Sequence, residues 1–286
     1  KILIENPEKK IIVTGCVFPD IIKKINNLSP KINVLSTHHI DKIADVVSDT
    51  NAGNKNIMIG YNKLVKLNFP RVRKNKIIGI VPILSGCNDH CSYCSTMLVK
   101  GKLFSYPEKN IINEVSEFIK EGCLEIWLTS QDNGAYMTEC GKGQLPYLVK
   151  KILEINGEYL VRIGMANPTY ILDIIDGLIE VLNDSRVFKF IHIPIQSGSD
   201  KVLKDMKRRY TVDQFSEIIN KLKKNVPGIS IATDIICGFP TESKEDFELT
   251  LKLIEKITPD VINISGYQSR PFTEAAQLKP LPGREI

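Results

Sequence analysis

From residue 78 onward the sequence alternates short β-branched apolar runs with amphipathic stretches, and this rhythm fixes the class of fold. The runs over 78–84, 124–129, 159–165, 187–195, 229–237 and 261–265 have the length of strands. Between them, 108–121, 145–155, 171–182, 201–206, 212–224 and 244–257 carry apolar residues at helical spacing. In the first, Ile111, Ile112, Val115, Phe118 and Ile119 form one face, and Gly122 ends the helix. Ser199 or Asp200 and Thr211 stand where N-caps are expected. Six β/α units with short connections imply parallel strands joined by right-handed crossovers. Every unusual polar cluster follows a strand: the cysteines after 84, Ser130-Gln131-Asp132-Asn133, Asn167-Pro168, Gln196-Ser197-Gly198-Ser199 and Gly238-Phe239-Pro240-Thr241. Functional groups of a β/α barrel collect at that rim. A partial six-unit (β/α) barrel therefore fits better than an open doubly wound sheet.

The first of these clusters carries the sharpest chemistry. Cys87, Cys91 and Cys94 stand in C-x3-C-x2-C spacing, with Gly86 before the first thiol and Tyr93 before the third. Three thiolates on one loop can hold three irons of a [4Fe–4S] cube. The absence of a fourth cysteine in the loop leaves one iron open to a small ligand. That is the arrangement needed by S-adenosylmethionine (SAM) radical chemistry, in which the methionyl amine and carboxylate chelate the open iron. A zinc site would show four ligands in paired spacing, and His90 is the only extra candidate nearby. A disulfide pair with a spare thiol is the other rival.

Composition sets wider bounds. At 286 residues the chain is long enough for one large domain or a domain and a half. No apolar run approaches the ~20 residues that span a bilayer. Seven cysteines, three of them assigned to a cluster, argue for a reducing, cytoplasmic compartment. A net charge of +5 is compatible with a polyanionic partner. Residues 1–70 read as the C-terminal part of a separate α/β domain, with a strand at 11–14 entering Gly15-Cys16 and helices over 20–28 and 39–49. Residues 71–77 form a basic linker, and the barrel occupies 78–286.

Taken in order, several segments resemble one family. They are Val13-Thr14-Gly15-Cys16, the cysteine loop, 125–136, Arg162-Ile163-Gly164-Met165-Ala166-Asn167-Pro168, His192-Ile193-Pro194-Ile195-Gln196-Ser197-Gly198-Ser199, Met206-Lys207-Arg208-Arg209-Tyr210-Thr211 and 232–240. As a set they are similar to the radical-SAM methylthiotransferases, above all the archaeal and eukaryotic branch that acts on N6-threonylcarbamoyladenosine in tRNA. The resemblance implies a methylthio group placed at C2 of that adenine, 3′ of the anticodon, with SAM as radical source and methyl donor. It implies two [4Fe–4S] clusters, one on Cys87, Cys91 and Cys94 and an auxiliary one held in part by Cys16. The other two auxiliary cysteines and an RNA-binding β-barrel would fall outside residues 1–286. Implied partners are tRNA, an electron donor of flavodoxin or ferredoxin type and a sulfur source. Relatives act instead on isopentenyladenosine or on a ribosomal-protein aspartate, but the segment 130–136 favours the threonylcarbamoyl branch. A non-catalytic iron–sulfur or RNA-binding module is the remaining alternative. The sequence departs from the family at Lys100, where Arg is usual, at Met137, where Gly is usual, and at Phe272 and Glu274 in a Pro-Gly-Thr-Pro turn. Loss of Gly strains a turn wherever φ is positive.

Other residues carry paired readings. Gln131 and Asp132 could bind the SAM amine or ribose, or cap the next helix. Arg162 could meet the SAM carboxylate or the substrate, or form an ion pair inside the barrel. Gln196 and Ser197, with Ser199, suit adenosyl recognition, and the backbone of Gly238-Phe239-Pro240 suits an adenine ring. Asp234 is a buried carboxylate that is either paired or lines the cavity. His192 is either a core histidine or a site residue. Lys207, Arg208, Arg209 and the linker could contact phosphates or remain solvated. Cys123, Cys140 and Cys237 are read as spectators.

Overall fold

The computed structural model describes residues 2–6 and 8–283. The linker and barrel begin inside that range, but the end of the expected barrel segment, 284–286, lies outside the described residues, as do residues 1 and 7.

The N-terminal unit opens with a short helix, α1 (Ile2–Glu5), and is built on a parallel sheet in the order β1 (Ile12–Gly15), β2 (Asn33–Ser36), β3 (Ile57–Met58). Helices α2 (Pro19–Leu28) and α3 (Ile43–Ala52) connect these strands. The first strand and both helical regions occur as expected, whereas β2 and β3 were not anticipated. All four residues of β2 are buried, so it shows no alternation of polar and apolar positions. A 3-10 turn over Thr37–Lys42 replaces the start of the helix expected from 39.

The barrel uses two three-stranded parallel sheets. One runs β4 (Ile78–Pro82), β7 (Glu125–Thr129), β8 (Leu160–Ile163), and the other β9 (Phe190–His192), β10 (Ser230–Cys237), β11 (Val261–Gly266). A bridge between Val161 and Val187, and the Ala166 N–H donated to the His192 carbonyl, join β8 to β9. The result is a curved, open six-strand array, a partial barrel. Between β4 and β7 lie the antiparallel pair β5 (Leu84–Ser85) and β6 (Phe104–Ser105), with α4 (Thr96–Lys100) between them and α5 (Glu108–Lys120) after them. The remaining helices are α6 (Leu145–Leu153), α7 (Pro168–Leu182), α8 (Asp200–Asp205), α9 (Val212–Asn225) and α10 (Lys244–Ile257).

Alternation sets the layers. Ile126, Leu128, Val161, Ile163 and Ile191 are buried beneath the helices. Trp127, Arg162, Phe190, His192 and Asp234 occupy the opposite, inner face and are only half-buried. The helices begin where their caps dictate. Thr211 and Gln214 form a capping box on α9, and Ser243 and Asp246 form one on α10. α7 starts at Pro168, earlier than the expected 171, because Asn167 Oδ1 accepts the Thr169 N–H and proline suits the first turn.

Two strands are shorter than expected. The run 78–84 divides after Pro82, since Leu84 and Ser85 turn to pair with β6. The run 187–195 keeps only Phe190–His192 as a strand. Pro194 has no N–H, and the Ile195 N–H is donated to Thr233 Oγ1 instead of to a neighbouring carbonyl.

Candidate functional site

β5 and β6 form the neck of the cysteine loop. Gly86 turns the chain at φ 81°, and a Cβ there would collide with the Lys102 carbonyl, so only glycine lets the two sides of the neck close. The Gly86 N–H is donated to Gln131 Oε1 at 2.9 Å. Across the loop, the Ser92 N–H is donated to the Met206 carbonyl, the Ser92 hydroxyl to the Asp205 carbonyl, and the Ala275 N–H to the Ser92 carbonyl. The loop is thereby tied to the end of α8 and to the chain after β11.

Within the loop Cys87 and Cys91 are half-buried and Cys94 is exposed. Burial pushes the Cys87 thiol up to about 12, the Asp89 N–H opposes this, and the charges of Asp89 and Asp132 add to it. Burial also raises Cys91, against the neighbouring Arg208 guanidinium. Among the described residues no three His, Cys, Asp or Glu side chains converge tightly enough to hold a single metal ion. A cube differs from a single ion in offering a separate iron to each thiolate, so its ligands stand further apart. Three thiols on one loop, with Cys91 electrostatically coupled to both Cys87 and Cys94, are a donor set that suits it. His90 is exposed and joins no such group.

Beside Cys94 opens a cavity of about 780 Å³, within the range of small-molecule sites. Tyr93, Gln196, Asp234, Asn263, Tyr267 and Arg270 are among its walls. Of the six residues expected at SAM, Gln196 and Asp234 line this space. Gln196 has φ 75°, and its backbone bridges to β10 by accepting the Ile236 N–H and donating to the Asp234 carbonyl. Asp234 Oδ1 accepts from His192 Nε2 at 2.8 Å and from Asn263 Nδ2 at 2.8 Å. Although burial opposes it, these two donors hold the Asp234 carboxyl below its ordinary range. His192 thus belongs to the inner polar layer and not to the core.

The other four lie elsewhere. Gln131 orients the cysteine loop through Gly86. Asp132 is buried, and its Oδ1 accepts the N–H groups of Gly134 and Asn167. Burial raises the Asp132 carboxyl to about 7 despite those donors. Ser197 is fully buried, and its hydroxyl accepts the Ser199 N–H. Arg162 lies between two rings, 4.7 Å from the Trp127 centroid and 4.5 Å from that of Phe190. The ion pair with a barrel carboxylate, one reading of its sequence, does not form: no carboxylate of the described residues is paired with it.

The basic residues expected at phosphates are mostly engaged within the protein. Arg71 pairs with buried Glu114 and stacks on Phe118 at 4.0 Å, and Arg73 reaches Glu121 and Cys123 Sγ. Lys207 pairs with Glu274, and Arg209 with Asp89. Arg208 Nη1 donates to Cys91 Sγ at 3.0 Å. Asp89 was also missed in the sequence; it gathers Asn167 Nδ2, Tyr170 Oη and Arg209 beside Cys87. Its place two residues after the first loop cysteine was the one available signal.

Cys16 lies in the turn after β1 and is exposed. Lys66 is lowered to about 8 by burial and then by the charge of Lys100, while Cys16 opposes the shift, so the three side chains are neighbours. Lys100 belongs to α4, directly after the loop cysteines.

The comparisons with known proteins agree with this architecture. A model of the Radical SAM superfamily matches residues 81–254. A probable threonylcarbamoyladenosine tRNA methylthiotransferase of Methanothermobacter thermautotrophicus is 40% identical over 98% of this chain and 66% of its own length. The human threonylcarbamoyladenosine tRNA methylthiotransferase is 39% identical over 98% of this chain and 49% of its own. The chain therefore spans between about half and just under two thirds of these relatives. Among solved structures, the cobalamin-dependent S-adenosylmethionine radical enzyme OxsB, with aqua-cobalamin and S-adenosylmethionine bound, superposes with TM-score 0.63 at 12% identity, over 95% of this chain and 42% of that one. The radical S-adenosylmethionine methyltransferase TsrM of Kitasatospora setae gives 0.60 at 14% identity, over 74% and 41%. At such identities these two establish the fold alone.

Proposed function

The chain belongs to the radical SAM superfamily, and from that premise we propose that it serves a tRNA methylthiotransferase acting at C2 of N6-threonylcarbamoyladenosine, 3′ of the anticodon. The observation that carries this reading is 40% identity, sustained over 98% of the chain, to a relative of that name. When bound, an iron–sulfur cluster with SAM would supply radical chemistry suited to an aryl C–H bond that ordinary acid–base removal cannot break. In this reading Cys87, Cys91 and Cys94 would hold that cluster, and Cys16 would be one ligand of an auxiliary cluster. Both clusters are [4Fe–4S] in this reading.

The chain's own residues bind, orient and exclude water. Gln196 and Asp234 line the space next to Cys94 and present an amide and a fixed carboxylate to a ribose or an amine. Asp234 is held ionised by His192 and Asn263, so it accepts hydrogen bonds and does not supply protons. Gln131, Asp132 and Ser197 support this space by holding the loops around it. Arg162, with no carboxylate partner among the described residues, offers a cation at the inner face, suited to an anionic group of SAM or substrate. The reading also divides the chain into an auxiliary-cluster domain over 1–70, a linker over 71–77 and the radical-SAM barrel over 78–286. It places tRNA, an electron donor of flavodoxin or ferredoxin type and a sulfur source among the partners, in the cytoplasm. Among the described residues no helix is long and apolar enough to cross a membrane.

The test is mass spectrometry of tRNA nucleosides from cells with and without the gene. Loss of the methylthio derivative, with its threonylcarbamoyl precursor accumulating, is expected. An unchanged methylthio nucleoside would overturn the assignment.

A further inference from the structure

Of the basic side chains expected at phosphate, Arg208 is the one that reaches a loop thiol. Arg208 follows α8, and its Nη1 donates to Cys91 Sγ at 3.0 Å. Its Nε donates to Tyr210 Oη at 2.9 Å, and the guanidinium lies 5.0 Å from the Tyr210 ring centroid. Tyr210 Oη in turn shares its proton between the carbonyls of Ile195 at 2.8 Å and Pro194 at 3.1 Å, just past β9. A continuous set of hydrogen bonds thus runs from the barrel rim through Tyr210 and Arg208 to one loop thiol. The Arg208 Nη2 is sealed from solvent and has no hydrogen-bond partner among the described residues. A buried guanidinium N–H left unpaired is costly, and such a group in a native fold calls for an acceptor supplied by something bound.

We propose that Arg208 is a positioning residue for the iron–sulfur cluster, giving the Cys91 thiolate a charge-assisted hydrogen bond and offering Nη2 to an anionic atom of the bound group. The inference rests on the reading of Cys87, Cys91 and Cys94 as cluster ligands. A cation bonded to a cluster thiolate favours the reduced state, because reduction adds negative charge; hydrogen bonds to the sulfurs and net charge are among the factors that set such potentials. Arginine alone supplies both the planar fork that reaches Cys91 and Tyr210 together and a permanent charge. Lysine could keep the charge but not the fork.

The experiment is anaerobic reconstitution of the parent protein, Arg208→Gln and Arg208→Lys, read by iron content, electron paramagnetic resonance of the reduced cluster and redox titration. Arg208→Gln is expected to lower the midpoint so that the reduced-to-oxidised ratio at a fixed potential falls about tenfold, which is ~59 mV for a one-electron couple. Arg208→Lys should recover part of that shift while altering the resonance spectrum. If Arg208→Gln does not fold, Arg208→Lys carries the test: parent iron content with a changed spectrum or midpoint supports the role. Parent midpoints and spectra in the variants that load iron would overturn it. A parent protein that takes up no iron would remove the ligand assignment itself, a different failure read before any variant is compared.

Discussion

Met137 and Phe272, at positions where the family resemblance leads one to expect glycine, both adopt left-handed backbone, with φ 63° and 66°. Met137 packs partly against the core, and the Phe272 ring lies 5.8 Å from that of Phe18. At each position alanine and glycine remove the same packing, but only glycine relieves the backbone. Met137→Gly and Phe272→Gly should therefore exceed the matching alanine variants by about 1 kcal/mol in urea unfolding, the reverse of the usual order. Equal stabilities would show that the turns are relaxed. Asp132 gives a second test at this scale. Its folded carboxyl is raised to about 7 from 3.8, so between these values the folded state binds more protons than the unfolded chain. Stability from this group is present below the lower value and is lost as pH rises through the upper one. Asp132→Asn keeps an oxygen for the Gly134 and Asn167 N–H groups and cannot ionise. The variant should gain on the parent steadily from pH 4 to pH 7, and a pH-independent difference would refute the buried ionisation. Sequence identified residue types here better than directions. Of Lys207, Arg208 and Arg209, nothing in a run of basic residues reveals that one turns inward to Cys91 while the others pair with Glu274 and Asp89.

At the scale of elements the β/α rhythm was legible because each strand has one face under helices, and each long helix carries an apolar stripe and a cap. The shortfalls have local causes. β2 and β3 are short, and β2 is buried on both faces, so period-two patterning is lost. β9 was shortened by Pro194 and by the Thr233 hydroxyl, a cross-strand partner invisible in linear sequence. The linker over 71–77 looked like a solvated basic run, yet Arg71 and Arg73 clamp α5. Arg71 neutralises Glu114, a carboxylate only 1% exposed, and Glu114 also accepts the Asn68 N–H. Arg71→Ala would strand that charge, and breaking a buried pair from one side costs about 3–5 kcal/mol. Since Arg71 is itself about one-third exposed, the expected loss is nearer the lower figure. Arg73→Ala should cost less, because Glu121 remains solvated. Chemical denaturation of both variants checks the order. Destabilisation by Arg73→Ala equal to that by Arg71→Ala would show that burial of Glu114 is not the deciding factor.

For the molecule as a whole, the question is what fixes the N-terminal unit, with Cys16, against the barrel that carries the other three cysteines. His38 is one tie between them. It is 5% exposed, with Nδ1 at 3.1 Å from the Asn62 carbonyl and Nε2 at 3.1 Å from the Val99 carbonyl. Tyr61 meets the imidazole edge-on with ring centroids 5.2 Å apart. Asn62 belongs to the segment between β3 and the barrel, and Val99 to α4, so one ring joins the N-terminal sheet, the connection and the helix after the cysteine loop. Both ring contacts are carbonyl acceptors. A neutral imidazole can donate to one of them, and the imidazolium to both. Lys100 Nζ, at 3.5 Å from Thr37 Oγ1, adds only a long contact, and the Phe18–Phe272 ring pair adds another. His38→Ala would take the donor from the carbonyl that the ring N–H serves and open a void beside Tyr61, at a cost of about 1–3 kcal/mol for a carbonyl left unsatisfied. Because these groups lie between the two units, the loss should loosen their docking before it unfolds either one. Hydrogen exchange resolved by peptide is the measurement. Faster exchange is expected over 57–66 and 96–101, with β9 and β10 protected as in the parent. Uniform acceleration across the barrel would mean that His38 contributes to global stability, and unchanged exchange at 96–101 would mean that another contact holds Cys16 in place.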